Sequence, residues 1–352
     1  MFLTIVVFIV ILGLLIFVHE LGHFLVAKWT GVKVDEFAFG FPPRLISKKY
    51  KETRYSINAI PLGGYVKLYG EEEELKKAGS FYAKPVRIRI AIVVSGVIMN
   101  FILAIILMTI GFSVGMTPLV SDPATMSGQK NPKVMVAYVA PDSPAQKAGI
   151  TEGTILEGFA SASDLQSFTR SHLDQEVNIA TEKNGTMNNI QLKLSNDTEA
   201  PLGVGVVAIT KIKQPVWQAF ITSFQETGKV ISTLFVFLYD ILKSLFTTGS
   251  TGPAGEGLSG PVGIFNFVGS AIKIGWIYVM QLVIILSINL GIINILPFPA
   301  LDGGKVLFLG LEGIFRRKVI RQEIENVIHL IGFALLILLI IAITYRDIVH
   351  LR

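Results

Sequence analysis

The chain has 352 residues, 51% hydrophobic and only 16% charged. Soluble globular domains run near one-quarter charged, so this composition describes a membrane protein with several spans and one more polar section. Without cysteine there is no disulfide and no thiolate metal site, and a net charge of +5 is a topology signal rather than a nucleic-acid footprint.

The first apolar run, Met1–Ala27, ends in His19-Glu20-Leu21-Gly22-His23. H-E-x-x-H on a helix sets two imidazoles at i and i+4 on one face, where they can grip one zinc ion. Glu20, between them, is then placed as general base toward a water. Ionisable side chains inside a bilayer cost about 3 kcal/mol each on insertion scales, so their presence needs a reason. The competing reading is a helix whose polar residues meet water at the interface and hold no metal. Met1–Val18 lacks the basic start and small-residue cleavage site of a secretory signal, and its removal would destroy the site, so it is read as a retained span.

Three further stretches are predicted to span, Ile88–Val114, Ile272–Leu296 and Val327–Thr344, giving a polytopic α-helical protein with four spans. Lys28–Arg89 carries thirteen Lys/Arg against seven acids, residues 115–271 ten against thirteen, and Asp302–Asn326 five Lys/Arg including Arg316-Arg317-Lys318. The positive-inside rule therefore puts the first and third connections in the cytoplasm, and both termini and the central region outside. Within the first connection, Ser56–Pro61 and Tyr65–Tyr69 flank Gly63-Gly64 and read as a β-hairpin.

In the central region, strands are expected at Val134–Ala140, Glu176–Thr181, Ile190–Leu194 and Gly203–Val207. A helix is expected at Asp164–His172 and a hairpin turn at Asn184-Gly185. Pro215–Phe246 has an apolar face interrupted by Glu226, Lys229, Asp240 and Lys243. It reads as an interfacial amphipathic helix, because a fifth span would break the charge alternation. Gly255-Glu256-Gly257-Leu258-Ser259-Gly260 matches G-x-G-x-x-G, but no apolar strand precedes it, so it reads as a connector and not a nucleotide site.

A catalytic zinc takes three protein ligands and leaves one position open. Of the other histidines, His172 lies in the central region and His350 beyond the last span, and His329 is a weak candidate near the cytoplasmic end of that span. Asp302 is the better third ligand. Pro297 and Pro299 break the third span as it nears the cytoplasmic face, and irregular backbone at that depth is tolerated only beside protein or a water-filled cavity. The first and third spans both run inward, which brings their ends to one leaflet. Helix capping by Asp302 is the competing role.

His19-Glu20-Leu21-Gly22-His23, Asn294 with Pro297 and Pro299, and Leu301-Asp302-Gly303 resemble the site-2 protease family, most closely its bacterial RseP/RasP type. Phe39-Gly40-Phe41-Pro42-Pro43, Pro61-Leu62-Gly63-Gly64-Tyr65-Val66, Ser95-Gly96 with Asn100, and Gly260-Pro261-Val262-Gly263-Ile264 extend the resemblance over nearly the whole chain. It implies a one-zinc endopeptidase that cuts transmembrane segments of single-span proteins, such as anti-sigma factors and signal-peptide remnants, within the cell membrane. It also implies that Asn294, Asn289 and Asn100 contact substrate, with hydrogen bonding between helices as their competing role, and that the hairpin at Gly63 and Gly64 re-enters the bilayer to receive an unwound substrate as an added strand, with a plain cytoplasmic hairpin as the alternative. Four sections follow: 1–114 with two spans and the hairpin, 115–212 an extracytoplasmic PDZ-like domain, 213–271 the amphipathic helix and Gly-rich connector, and 272–352 the last two spans. Gly153-Thr154 and Glu157-Gly158-Phe159 depart from the PDZ pattern, so a size filter is expected there rather than peptide-terminus binding.

Two other classes compete. A non-catalytic membrane scaffold with a structural metal site would have no use for Glu20. A transporter should show repeated halves, and none are visible.

Overall fold

The computed structural model describes residues 1–71, 75, 77–183, 185–249 and 259–350, apart from the side chains of Leu62 and His350. Asn184 of the expected turn and Gly255–Leu258 of the expected connector lie outside the described residues. In chain order the elements are α1 (Phe2–Trp29), β1 (Val34–Tyr50), β2 (Thr53–Leu68), α2 (Val86–Val114), β3 (Gln129–Val139), α3 (Pro144–Lys147), β4 (Ile155–Leu156) and α4 (Ala162–Ser171). They continue with β5 (Glu176–Lys183), β6 (Thr186–Lys193), β7 (Val204–Lys213), α5 (Val216–Thr248), α6 (Pro261–Ile274), α7 (Trp276–Ile295), α8 (Asp302–Phe315) and α9 (Gln322–His350). The chain folds as two compact units, one of Met1–Ile105, Ile231–Asn266 and Val283–Arg352, the other of Ile106–Val230 and Phe267–Leu282.

In the first unit, α1 is apolar on every side, and what distinguishes its faces is the size and chemistry of the side chains. Ile11, Leu15, His19 and Gly22, at steps of four, four and three, form a buried stripe, while Leu3, Val10 and Leu25 face outward. Gly22 lets α1 meet α2 backbone to backbone: a Cβ there would collide with the Ser95 carbonyl. α7 packs on α2 through side chains, with Gly291 under the Phe101 ring and the Ser287 hydroxyl donating to the Asn100 carbonyl oxygen at 2.8 Å. At the other end of α2, Arg89 forms a two-pronged ion pair with Glu312 of α8 (3.0 and 2.5 Å), a geometry suited to the planar guanidinium.

β1 and β2 are joined at Lys51-Glu52, not at Gly63-Gly64. This corrects the expected hairpin. Phe37, Ala38 and Phe39 have partners on both sides, Val66, Tyr65 and Gly64 on one and Tyr55, Ser56 and Ile57 on the other. Ser56–Ile60 and Tyr65–Leu68 are therefore separated by β1 instead of pairing with each other, and Gly63-Gly64 sits inside the sheet. The hairpin reading failed because two glycines between apolar runs look like a turn when the intervening strand is distant in sequence.

The third span is also shorter than expected. Gly275, at φ +145°, separates α6 from α7, so the membrane-length helix begins at Trp276 rather than Ile272. After Ile295 the chain leaves helical geometry through Pro297 and Pro299 and re-enters it at Asp302.

The second unit contains a five-stranded sheet in the order β6-β5-β4-β3-β7, with Val134, Val136, Ile150, Leu156, Leu165, Ile179 and Leu194 in its core. The expected strands at 134, 176, 190 and 203 all form, and α4 begins at a capping box made by Ser161 and Asp164. β4 escaped sequence reading because it is only two residues long.

Among the described residues five helices, α1, α2, α5, α7 and α9, are long and apolar enough to cross a membrane. α5 differs in kind. Its Ser223, Glu226 and Thr227 are buried while Trp217, Phe220, Ile221 and Phe224 face outward. The Glu226 carboxylate explains the inversion, because it accepts the backbone N–H groups of Leu119, Val120 and Ser121 at 2.8, 2.8 and 3.1 Å, and the Ser121 hydroxyl.

Candidate active site

His19 and His23 lie one turn apart on the inward face of α1, and Asp302 opens α8. The Asp302 Oδ2 is 3.0 Å from His19 Nε2 and 3.3 Å from His23 Nε2, and the two Nε2 atoms are 3.2 Å apart. Asp302 does not cap its helix: Leu301 holds that position without a side-chain bond. The Asp302 turn is packed tightly enough to exclude side chains, since a Cβ on Gly303 would strike the Ile295 and Leu296 carbonyls and one on Gly304 would come within 2.5 Å of the Phe298 oxygen.

His23 Nδ1 lies 2.8 Å from the Ile92 carbonyl oxygen. A carbonyl can only accept, so the proton is on Nδ1 and Nε2 presents a lone pair. Asp302 Oδ2 is buried and, among the described residues, has no donor beyond the two imidazoles. Lone-pair atoms converging in this way repel one another unless a cation lies among them. Their separations are close to the edges, about 3.4 Å, of a tetrahedron with bonds of about 2.1 Å, the size zinc prefers with nitrogen and carboxylate ligands. The donor set fits zinc.

Glu20 faces two cavities that share His19 and Asp302. One, about 200 Å³, is also lined by His23, Tyr65, Val66, Glu71 and Lys305; the other, about 240 Å³, by Ile16, Leu290, Asn294 and Leu301. Lys305 donates to Glu71 at 2.8 Å, and that carboxylate raises the lysine pKa above its ordinary value. The backbone of β2 reaches the site at Gly64, where a Cβ would lie 2.9 Å from the Ala38 oxygen and 3.4 Å from Glu20 Cγ. At Gly63 a Cβ would run into the Phe41 ring.

The three asparagines separate. Asn294 lies on a cavity wall with Nδ2 3.4 Å from His19 Nε2. Asn289 lines neither cavity, because five residues turn a helix through about 500°, leaving it about 140° from Asn294. Asn100 is fully buried, its amide nitrogen 3.3 Å from His19 Nδ1 and its Oδ1 without a partner among the described residues. There it faces the His19 ring and lines neither cavity. Exchanging the amide N and O, an assignment that hydrogen bonding decides, gives the orphaned oxygen the Nδ1–H of His19 and frees Nε2 for the metal.

Sequence reasoning attached no role to Gly96 or Ile92. A Cβ on Gly96 would lie 2.5 Å from His23 Nε2 and 2.7 Å from His19 Cε1, so α2 makes room for both rings at that point. His329, the weak ligand candidate, is elsewhere: its Nδ1 accepts the Ala300 N–H at 2.8 Å.

The family model for Peptidase family M50 matches residues 7–339. The chain belongs to that family. Members of M50 are site-2-type zinc metalloproteases, and this M50 chain is accordingly a zinc metalloprotease in a multi-pass membrane setting. It is 34% identical to a Clostridium acetobutylicum protein with a provisional zinc-metalloprotease name, over 99% of this chain and 98% of the relative. It is 28% identical to the regulator of sigma-W protease RasP of Bacillus subtilis, and 28% identical to the zinc metalloprotease RasP of Oceanobacillus iheyensis. Each match covers 99% of both chains.

Proposed function

We propose that this M50 protein cuts the transmembrane segments of single-span membrane proteins, with His19, His23 and Asp302 holding zinc and Glu20 as the base. The convergence of three lone-pair atoms beside Glu20, between helices of membrane length, carries this reading. When bound, zinc polarises the scissile carbonyl and acidifies a water. Glu20 takes the water proton and passes it to the leaving amine. Asn294, on the wall of the same cavity, donates to the oxygen on which charge develops. Asn100 and the Ile92 carbonyl hold the His19 and His23 rings in the tautomer that presents Nε2.

A peptide bond in a helix is shielded by its own turn, so the substrate must unwind locally. The Gly64–Leu68 edge of β2, paired with β1 on one side and running past Glu20, supports reception of the unwound stretch as an added strand. The lone-pair demands of an extended chain in the bilayer are met by that edge.

Four spans, α1, α2, α7 and α9, preserve the charge alternation, with both termini and residues 115–212 outside and the site near the cytoplasmic face. α5 then lies in the outer interface, a placement supported by its polar buried stripe and outward aromatic residues. Residues 115–212 form a PDZ-like domain that acts as a size filter on substrates. The B. subtilis relative's name, a regulator of sigma-W, supports anti-sigma factors as one substrate class.

The test is direct. Purified protein should hold about one zinc and cut a model transmembrane helix, and Glu20→Gln should keep the zinc and lose the cutting. Turnover by Glu20→Gln at the parent rate would remove Glu20 from the chemistry.

A further inference from the structure

We propose that His329 is a positioning residue for Asp302: its Nδ1 accepts the Ala300 amide hydrogen and so fixes the proline turn that aims the Asp302 carboxylate. The inference rests on Asp302 being a zinc ligand, the reading given above.

The turn between α7 and α8 has few ways to hold itself. Pro297 and Pro299 have no N–H. Phe298 donates to the Leu296 oxygen at 2.7 Å and Leu301 to the Phe298 oxygen at 3.2 Å, both inside the turn. The Ala300 N–H instead leaves the turn for another element, meeting His329 Nδ1 on α9 at 2.8 Å. Ala300 stands at φ +75°, a left-handed conformation that alanine adopts only where its surroundings impose it. Two residues later comes Asp302, so a rotation at Ala300 would swing the carboxylate away from both imidazoles.

The ring is itself fixed. Phe308 of α8 meets it edge-on, with centroids 5.6 Å apart. One turn further along α9, Gly332 packs on Pro299 so closely that a Cβ would lie 2.5 Å from the proline oxygen. To accept from an amide, Nδ1 must be unprotonated, which puts the ring proton on Nε2. Nε2 is buried without a hydrogen-bond partner among the described residues, and Glu325 Oε1 is 3.9 Å away. Among the described residues the bond to Ala300 is thus the ring's one strong polar contact, and a histidine held only for packing would not need it.

The substitutions that test this differ in which ring nitrogen they mimic. Asparagine places Oδ1 near the Nδ1 position; glutamine reaches the Nε2 position; leucine offers no acceptor. Full-length protein in detergent is loaded with zinc and titrated against a competing chelator, with kcat and KM measured at saturating zinc. His329→Leu and His329→Gln should weaken zinc binding by about 10- to 100-fold, the usual cost of losing an outer-shell partner, and lower kcat more than they change KM. His329→Asn should stay within about threefold of the parent. Parent-like zinc affinity in both the leucine and glutamine variants, or equal weakening by asparagine and leucine, would overturn the proposal. If the leucine variant fails to fold, the glutamine–asparagine comparison decides alone. Asp302→Ala is the control: if it holds zinc like the parent, the ligand assignment fails and not the role of His329.

Discussion

Gly96 of α2 faces His23 of α1 so closely that a Cβ at position 96 would lie 2.5 Å from the His23 Nε2 atom. The placement of the two rings is therefore set from two helices, one that carries them and one that gives way to them. Gly96→Ala should lower zinc affinity by at least about tenfold, since the methyl must displace an imidazole, whereas a packed core alone would absorb it at modest cost. Metal analysis of purified protein after dialysis against a mild chelator measures this. Full retention of zinc would mean the rings have other room.

Asn100 is expected to act through its oxygen. Asn100→Asp retains an acceptor for the His19 Nδ1–H and should keep zinc, while Asn100→Leu should lose about 10- to 100-fold in affinity. Chelator competition on the two variants distinguishes this from a substrate contact, which would leave zinc untouched and move KM.

Strand addition predicts an alternating response to proline along β2. Neighbouring residues of a strand point their N–H groups to opposite sides, so of Tyr65→Pro and Val66→Pro one removes a bond to β1 and the other a donor on the free side. The second should lower cleavage of a helical substrate while zinc content stays at the parent level. Cleavage unchanged in both would count against an added strand.

Glu226 should be a stability residue in the second unit. Glu226→Ala leaves the part-buried N–H groups of residues 119–121 without their acceptor, at about 2 kcal/mol for the loss of a charged hydrogen-bond acceptor. A lower thermal midpoint with unchanged zinc content is the expected result. An unchanged midpoint would show that water replaces the carboxylate.

Deleting residues 130–207 should admit substrates with bulky outer domains that the intact protein rejects. Continued rejection in a cell-based cleavage assay would mean that selection lies elsewhere.

The chain's own order of residues determined the parts that are local. His19 and His23 share a face because the helix repeats every 3.6 residues, the proline pair had to end α7, and the alternation of apolar residues marked the strands of the second unit. Asp302 was legible as a candidate too, being the acid that follows the proline pair, and it lies 3.0 and 3.3 Å from the two rings. What only the tertiary structure decided depends on contacts between segments far apart in number. β1 lies between the two halves of β2, Asn100 turns to His19, Gly96 opens a gap for two rings, and His329 reaches a turn 29 residues away. None of these leaves a periodic trace, because a close approach is a property of two backbones at once and a glycine or an asparagine looks the same in sequence whichever neighbour it meets.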